Sequence, residues 1–186
     1  MVDSRFKVEQ LNNPQQPQEN PNLISKKSMG AYARTATKSN RATYHEILTR
    51  VNNAKDKPKK LKIMQDYDSE PLRMLMKGAF DPNIQWDLPN GTPPYKANEA
   101  PLGTQHTWLA DESKKLWHFL VGGNPGLSKT RKETMFIQVL ENLSKEEATL
   151  LINIKDKKLN KVYKGLTANL VKEAFGWNDN FMRNDA

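Results

Sequence analysis

The 186-residue sequence predicts an all-α fold: a compact multi-helix bundle with a long central loop and a disordered basic N-terminal arm. Three observations carry that prediction. Apolar residues recur at helical spacing behind recognisable N-caps. No alternating run is long enough to build a sheet. Eight of the eleven prolines lie in the arm and in residues 80–107, outside the periodic segments.

Residues 1–41 form the predicted arm. Asn12-Asn-Pro-Gln-Gln-Pro-Gln-Glu-Asn-Pro-Asn22 has almost no periodic apolar pattern, so it cannot bury enough surface to offset its ordering entropy. Lys26, Lys27, Arg34, Lys38 and Arg41 follow with no intervening acid. Of the net charge of +8, residues 1–25 carry −1, residues 26–41 carry +5 and residues 42–186 carry +4. A basic arm of this kind suits nucleic acid or docking onto a larger assembly.

The helical body is expected over residues 42–178, with 179–186 as a C-terminal tail. Thr43 and Glu46 fit a capping box, and Tyr44, Ile47, Leu48 and Val51 fall on one helix face. A second helix follows Asp56, with Pro58 in its first turn and Leu61, Met64 and Tyr67 in line. A third follows Ser69 and Pro71, with Leu72, Leu75, Met76 and Ala79 as its stripe. Pro82, Pro89, Pro93, Pro94, Pro101, Gly91 and Gly103 exclude a long helix over residues 80–107. Trp86, Leu88, Tyr95, Leu102 and Trp108 make that loop too apolar to leave the helices. Helical pattern resumes at Asp111 with Leu116, Phe119 and Leu120, and again from Lys129 with Met135, Val139, Leu140 and Leu143. A second capping box, Ser144 with Glu147, favours helix over strand for Leu150-Leu-Ile-Asn-Ile154.

The stretch from Lys157 to Gly176 is the most distinctive. Thr167 reads as an N-cap, Leu170, Val171, Ala174 and Phe175 as an apolar stripe, and Gly176 as a helix stop. A helix start offers unpaired N–H groups and the positive end of its dipole, which together receive a phosphate. Lys158, Lys161, Lys164 and Lys172 surround the turn Gly165-Leu-Thr167. Lys129, Arg131 and Lys132, at another helix start, form a second cationic cluster. The alternative for these residues is a lysine-rich solvated helix end packed on a core.

Composition excludes several classes. A formal charge of +8 and a pI near 9.5 favour a polyanionic partner over a small acidic substrate, without separating DNA from RNA or from an anionic membrane. With no cysteine there are no disulfides, thiolate zinc sites or cysteine nucleophiles. No apolar run approaches the roughly 18 residues that span a bilayer, and Met1-Val-Asp-Ser-Arg-Phe-Lys7 lacks an apolar signal region. The expectation is a protein of a reducing cytoplasm, or one assembled there, with no membrane association.

Enzyme motifs are few. Gly123-Asn-Pro-Gly-Leu-Ser-Lys-Thr130 is one residue from a phosphate-binding P-loop, but Ser128 replaces the glycine that lets backbone approach phosphate. The preceding Trp117-His-Phe-Leu-Val121 reads better as a helix end closed by Gly122 and Gly123 than as a strand. His45, His106 and His118 lie in unrelated contexts without metal-type spacing, and no Gly-x-Ser-x-Gly elbow occurs. Trp86, Trp108, Trp117 and Trp177 suit burial more than base stacking. The expectation is a non-enzyme with no cofactor, no metal and no small-molecule substrate.

Ile47-Leu-Thr-Arg-Val51 through Met76-Lys-Gly-Ala-Phe80 resembles the opening of phage-type ATP-dependent DNA ligases. There a first helix, a lysine-rich second helix and an acid-x-x-Leu-Leu-x-x-Leu third helix begin the N-terminal DNA-binding domain. Gly165-Leu-Thr-Ala-Asn-Leu-Val-Lys-Glu-Ala-Phe175 is similar to that domain's closing Gly-Val-Ser/Thr helix, which in ligases sits against the duplex backbone. The resemblance covers residues 43–80 and 129–176. Two departures stand out: the Lys-x-Asp-Gly adenylation motif does not occur, and Lys158-Leu-Asn-Lys-Val-Tyr-Lys164 is longer and more basic than the ligase pattern. The resemblance therefore implies a DNA-binding domain without its enzyme, favouring DNA over RNA and reading the backbone independently of sequence. Similarity to an uncharacterised family of large tailed phages implies a phage-encoded protein of the host cytoplasm, free or carried on the virion. The alternative is a virion or assembly protein whose arm docks onto a neighbouring phage structural protein.

Overall fold

The computed structural model describes residues 42–99 and 105–183. The basic arm, with Lys26, Lys27, Arg34, Lys38 and Arg41, lies outside the described residues. The chain divides into two units after Arg41, and the described helices all belong to the second.

The described residues are all-α. α1 (Tyr44–Asn53) starts at the predicted capping box: Thr43 Oγ1 accepts the Glu46 N–H, and the Glu46 carboxylate accepts the Thr43 N–H. α2 (Lys57–Asp66) follows Asp56, and α3 (Glu70–Phe80) is capped by Ser69; each carries its proline in the first turn. α4 (Leu109–Glu112) is a single turn that tightens into a 3-10 helix, Ser113–Phe119. α5 (Lys129–Asn142), α6 (Lys145–Lys155), α7 (Leu159–Val162) and α8 (Ala168–Phe175) complete the order. Gly176 ends α8 in the left-handed region at φ 64°, as its place after the apolar stripe predicts.

α2 lies between α1 and α8, while α3 and α1 pack on α6, which also contacts α5 and α7. Leu48, Val51, Met64, Leu72, Leu75, Met76, Leu140, Leu151 and Ile154 are fully buried at the centre. These are the apolar stripes read from the sequence.

The long loop is fastened to the helices at several points. Asp87 N–H donates to Phe119 O at 2.7 Å, and Val121 N–H to Gln85 O at 2.9 Å. The Gly91 N–H meets the Asp156 carboxylate, and Lys155 Nζ donates to Pro89 O at 2.7 Å. Among the described residues only isolated bridges occur, including Trp86 with Leu120, and no strand.

Three expectations need correction. The helix expected from Asp111 through Leu120 is α4 followed by a 3-10 helix. Gly122 (φ 77°) turns the chain back, and Gly123 comes so close to the Trp117 carbonyl that no Cβ would fit. The second capping box is half formed: Ser144 accepts the Glu147 N–H, but the Glu147 carboxylate turns to other helices. The boundary expected at residue 178 is not where packing ends. Phe181, beyond it, is buried with its ring 6.0 Å from that of Trp177, while Asp179, Asn180, Met182 and Arg183 are exposed.

Candidate functional site

The turn before α8 is built from alternating anchors and cations. Leu159, Tyr163 and Leu166 are buried, and the Tyr163 hydroxyl pairs with His45 Nδ1 at 2.9 Å. Burial raises the Tyr163 phenol above its ordinary value. Lys161 and Lys164, between those anchors, are thrown outward and exposed, with no acidic partner among the described residues. Gly165 N–H donates to Asn52 Oδ1 at the end of α1, at 3.2 Å. Thr167 Oγ1 accepts the Leu170 N–H at 3.3 Å, leaving the first-turn amides of Ala168 and Asn169 outside the helical ladder.

Lys60 completes this turn, and sequence reading missed it. Its Nζ lies directly over Gly165, where a Cβ would collide with it. Packing of α2 on both α1 and α8 brings it there. The signal was present in the lysine-rich run Lys57-Pro-Lys-Lys-Leu-Lys62, but without the packing order it pointed nowhere. Arg50, Lys59 and Lys62 share with Asp66 a groove floored by Ala54 and Ile63 between α1 and α2, and Lys59 pairs with Asp56 at 2.9 Å. The cations at the turn therefore come from α2, through Lys60, and from the α7–α8 segment.

The remaining sequence candidates scatter. Lys158 is half exposed, but its Nζ binds Asp156 Oδ2 at 2.9 Å. Lys172 stands in the last turn of α8, at the opposite end from Thr167, with its Nζ on Asp179 at 2.7 Å. Lys129 and Arg131 are exposed at the start of α5, where Ser128 caps the Arg131 N–H. Lys132 corrects the expectation of a second contact cluster. It is 4 % exposed and its Nζ binds Asp87 at 2.7 Å, so it ties the long loop to α5 instead of facing a ligand. That hydrogen bond holds the Asp87 carboxyl below the usual carboxylate range.

Lys155-Asp156-Lys157-Lys158 is a second structural staple. Burial raises the Asp156 carboxyl, but hydrogen bonds from Lys155 and Lys158 outweigh it and hold the group below its ordinary value. Lys157, at φ 56°, donates to Gly78 O and Asp81 O at 2.7 and 2.8 Å, closing the end of α3. Burial lowers its ammonium below the ordinary lysine range.

The near-P-loop residues are engaged in local contacts. Ser128 serves as the α5 N-cap, the Asn124 carboxamide holds His118 Nδ1 at 2.9 Å and the Gly126 N–H, and a 3-10 helix precedes the segment. Among the described residues no three potential metal ligands gather, and no helix is long and apolar enough to cross a membrane.

The fold and site thus define an all-α chain with a cationic turn between its first two helices and its last. Residues 47–161, more than half of the chain, match a family of unknown function (DUF6433), and the chain belongs to that family. No curated protein and no solved structure matches it.

Proposed function

We propose that the protein is a non-catalytic, largely sequence-independent binder of the duplex DNA backbone, phage-encoded and built like a ligase DNA-binding domain without its enzyme. The observation that carries this reading is the arrangement at the α7–α8 turn. Lys161 and Lys164 project beside a helix start with no acidic partner among the described residues, and Lys60 reaches over Gly165 to join them. Ammonium groups held around free backbone amides neutralise phosphates and release counterions, with no base edge read. Lys26, Lys27, Arg34, Lys38 and Arg41 of the arm add affinity of the same kind.

Salt titration of binding to random-sequence duplex tests the reading. Affinity should fall steeply with salt, and Lys161→Glu with Lys164→Glu should lower the slope by about two units, roughly one per phosphate contact. No duplex binding at low salt overturns it.

A virion or assembly protein is the second reading. Trp117 and Val121, 44 % and 61 % exposed beside the Gly122–Gly123 turn, favour it as an apolar contact for a neighbouring protein. Co-purification with virions, together with failure to bind DNA, would select it.

A further inference from the structure

A cleft of about 520 Å³ opens where the end of α3, the long loop and the end of α6 meet. Phe80 and Trp86 give it an aromatic wall. Trp86 is fixed there by its indole N–H, which donates to Gly78 O at 3.2 Å, and by the bare Cα of Gly78, which lets the ring lie against α3. The charged groups of the floor are hydrogen-bonded but net positive: Asp156 holds Lys155, Lys158 and the Gly91 amide, and Lys157 donates to Gly78 O and Asp81 O. Gln85, Asn90 and Asn160 supply carboxamides at the rim, each carrying both donors and an acceptor.

An aromatic wall with amide edges suits a flat heteroaromatic ring with hydrogen-bonding groups on its rim, and the net positive floor suits an attached phosphate. Carboxamides make paired hydrogen bonds to such an edge, and aromatic side chains stack on its face. The cleft and the cationic turn are linked in sequence through α7. α7 places Asn160 on the cleft and Lys161 at the next position, while Lys158 reaches the Asp156 floor.

We propose that this cleft receives one unpaired nucleobase while the attached backbone runs over Lys161 and Lys164. This rests on the backbone-binding reading for the strand, but not for the base itself. The base comes either from a strand distorted at that point or from a free nucleotide. The protein then favours duplexes carrying an extrahelical base, with the sugar-phosphate contacts unchanged.

The test uses the full chain and three probes: a fully paired duplex, the same duplex with one unpaired adenine, and each nucleoside monophosphate alone. Binding is read by anisotropy, and the Trp86 indole N–H resonance by NMR. The bulged duplex should bind about fivefold to tenfold tighter than the paired one, within the range one stacked base supplies, and should shift the Trp86 signal. Asn90→Ala with Asn160→Ala should bring that ratio to about one with paired-duplex affinity unchanged, whereas Lys161→Glu with Lys164→Glu should weaken both duplexes alike. A Trp86 shift with monophosphates and no duplex binding keeps the base site and removes the strand. Equal affinity for both duplexes, with Trp86 unmoved by every probe, overturns the base site and leaves backbone binding standing.

Discussion

The Glu147 carboxylate closes the start of α4 from 38 residues away, its Oε2 accepting the Leu109 N–H at 3.0 Å. Its Oε1 reaches the Tyr44 N–H of α1 at 3.4 Å. One buried side chain on α6 therefore satisfies orphan amides at two other helix starts, where the dipoles also favour a negative charge. Burial nevertheless raises its pKa above the ordinary value, because desolvation exceeds what the two amides return.

Glu147→Ala leaves two buried donors unpaired and should cost about 2–4 kcal/mol in urea unfolding at neutral pH. The pH dependence has a definite sign. A raised folded pKa means that the folded chain binds the proton more tightly than the unfolded one, so this group's contribution is complete below the unfolded pKa and is lost as pH rises through the folded value. The stability of the native protein relative to Glu147→Gln should therefore grow as pH falls from neutral through that window. A difference that shrinks on acidification would contradict the assignment.

Asp87 and Lys132 should respond asymmetrically. Removing the carboxylate with Asp87→Ala leaves a buried ammonium uncompensated, whereas Lys132→Met replaces the cation with an apolar chain of similar length. The unfolding midpoint should drop clearly for the first and much less for the second. Because the Asp87 pKa is lowered, its contribution is present above the unfolded carboxylate pKa and is lost as pH falls through the folded one. DNA affinity should not follow Lys132→Met. A loss as large as that of Lys161→Glu would return Lys132 to the binding surface.

Gly78→Ala sets helix propensity against packing. Alanine gains about 1 kcal/mol inside a helix, but its Cβ would fall 3.2 Å from Trp86 Cζ2, on a ring already bound to Gly78 O. Overpacking typically costs about 1–3 kcal/mol. The expected net result is a loss of about 1 kcal/mol with a displaced Trp86 resonance. A more stable variant with an unmoved ring would show that the indole has room to retreat.

What could be read from the sequence was local. Thr43, Ser69 and Thr167 cap amides three residues ahead, and the stripes of α1, α3 and α8 repeat within a turn, so each signal sits inside its own element. What escaped was non-local. Glu147 looked like half of a capping box because Ser144 is three residues back, yet its partners lie 38 and 103 residues away. Lys132 looked like surface charge because Asp87, 45 residues earlier, sits in a loop with no periodic pattern. Lys60 lay in plain view on a lysine-rich helix, but only the packing of α2 on α8 decides which of its lysines faces Gly165.

That last distinction separates binding at a particular turn from binding by net charge. Lys60→Gln and Lys172→Gln each remove one positive charge from the body, yet their surroundings differ. Lys60 stands over Gly165 beside Lys161 and Lys164, whereas Lys172 is 20 % exposed, paired with Asp179 and 5.8 Å from the Phe181 ring centre. If phosphate sits at the turn, Lys60→Gln should lower the salt slope by about one unit and Lys172→Gln should leave it nearly unchanged. Gly165→Ala gives an independent check. Its Cβ displaces only the flexible end of Lys60, so folding should hold while affinity falls in the direction of Lys60→Gln. Equal effects of Lys60→Gln and Lys172→Gln, with Gly165→Ala silent, would mean that DNA follows the overall charge of the body and no turn within it.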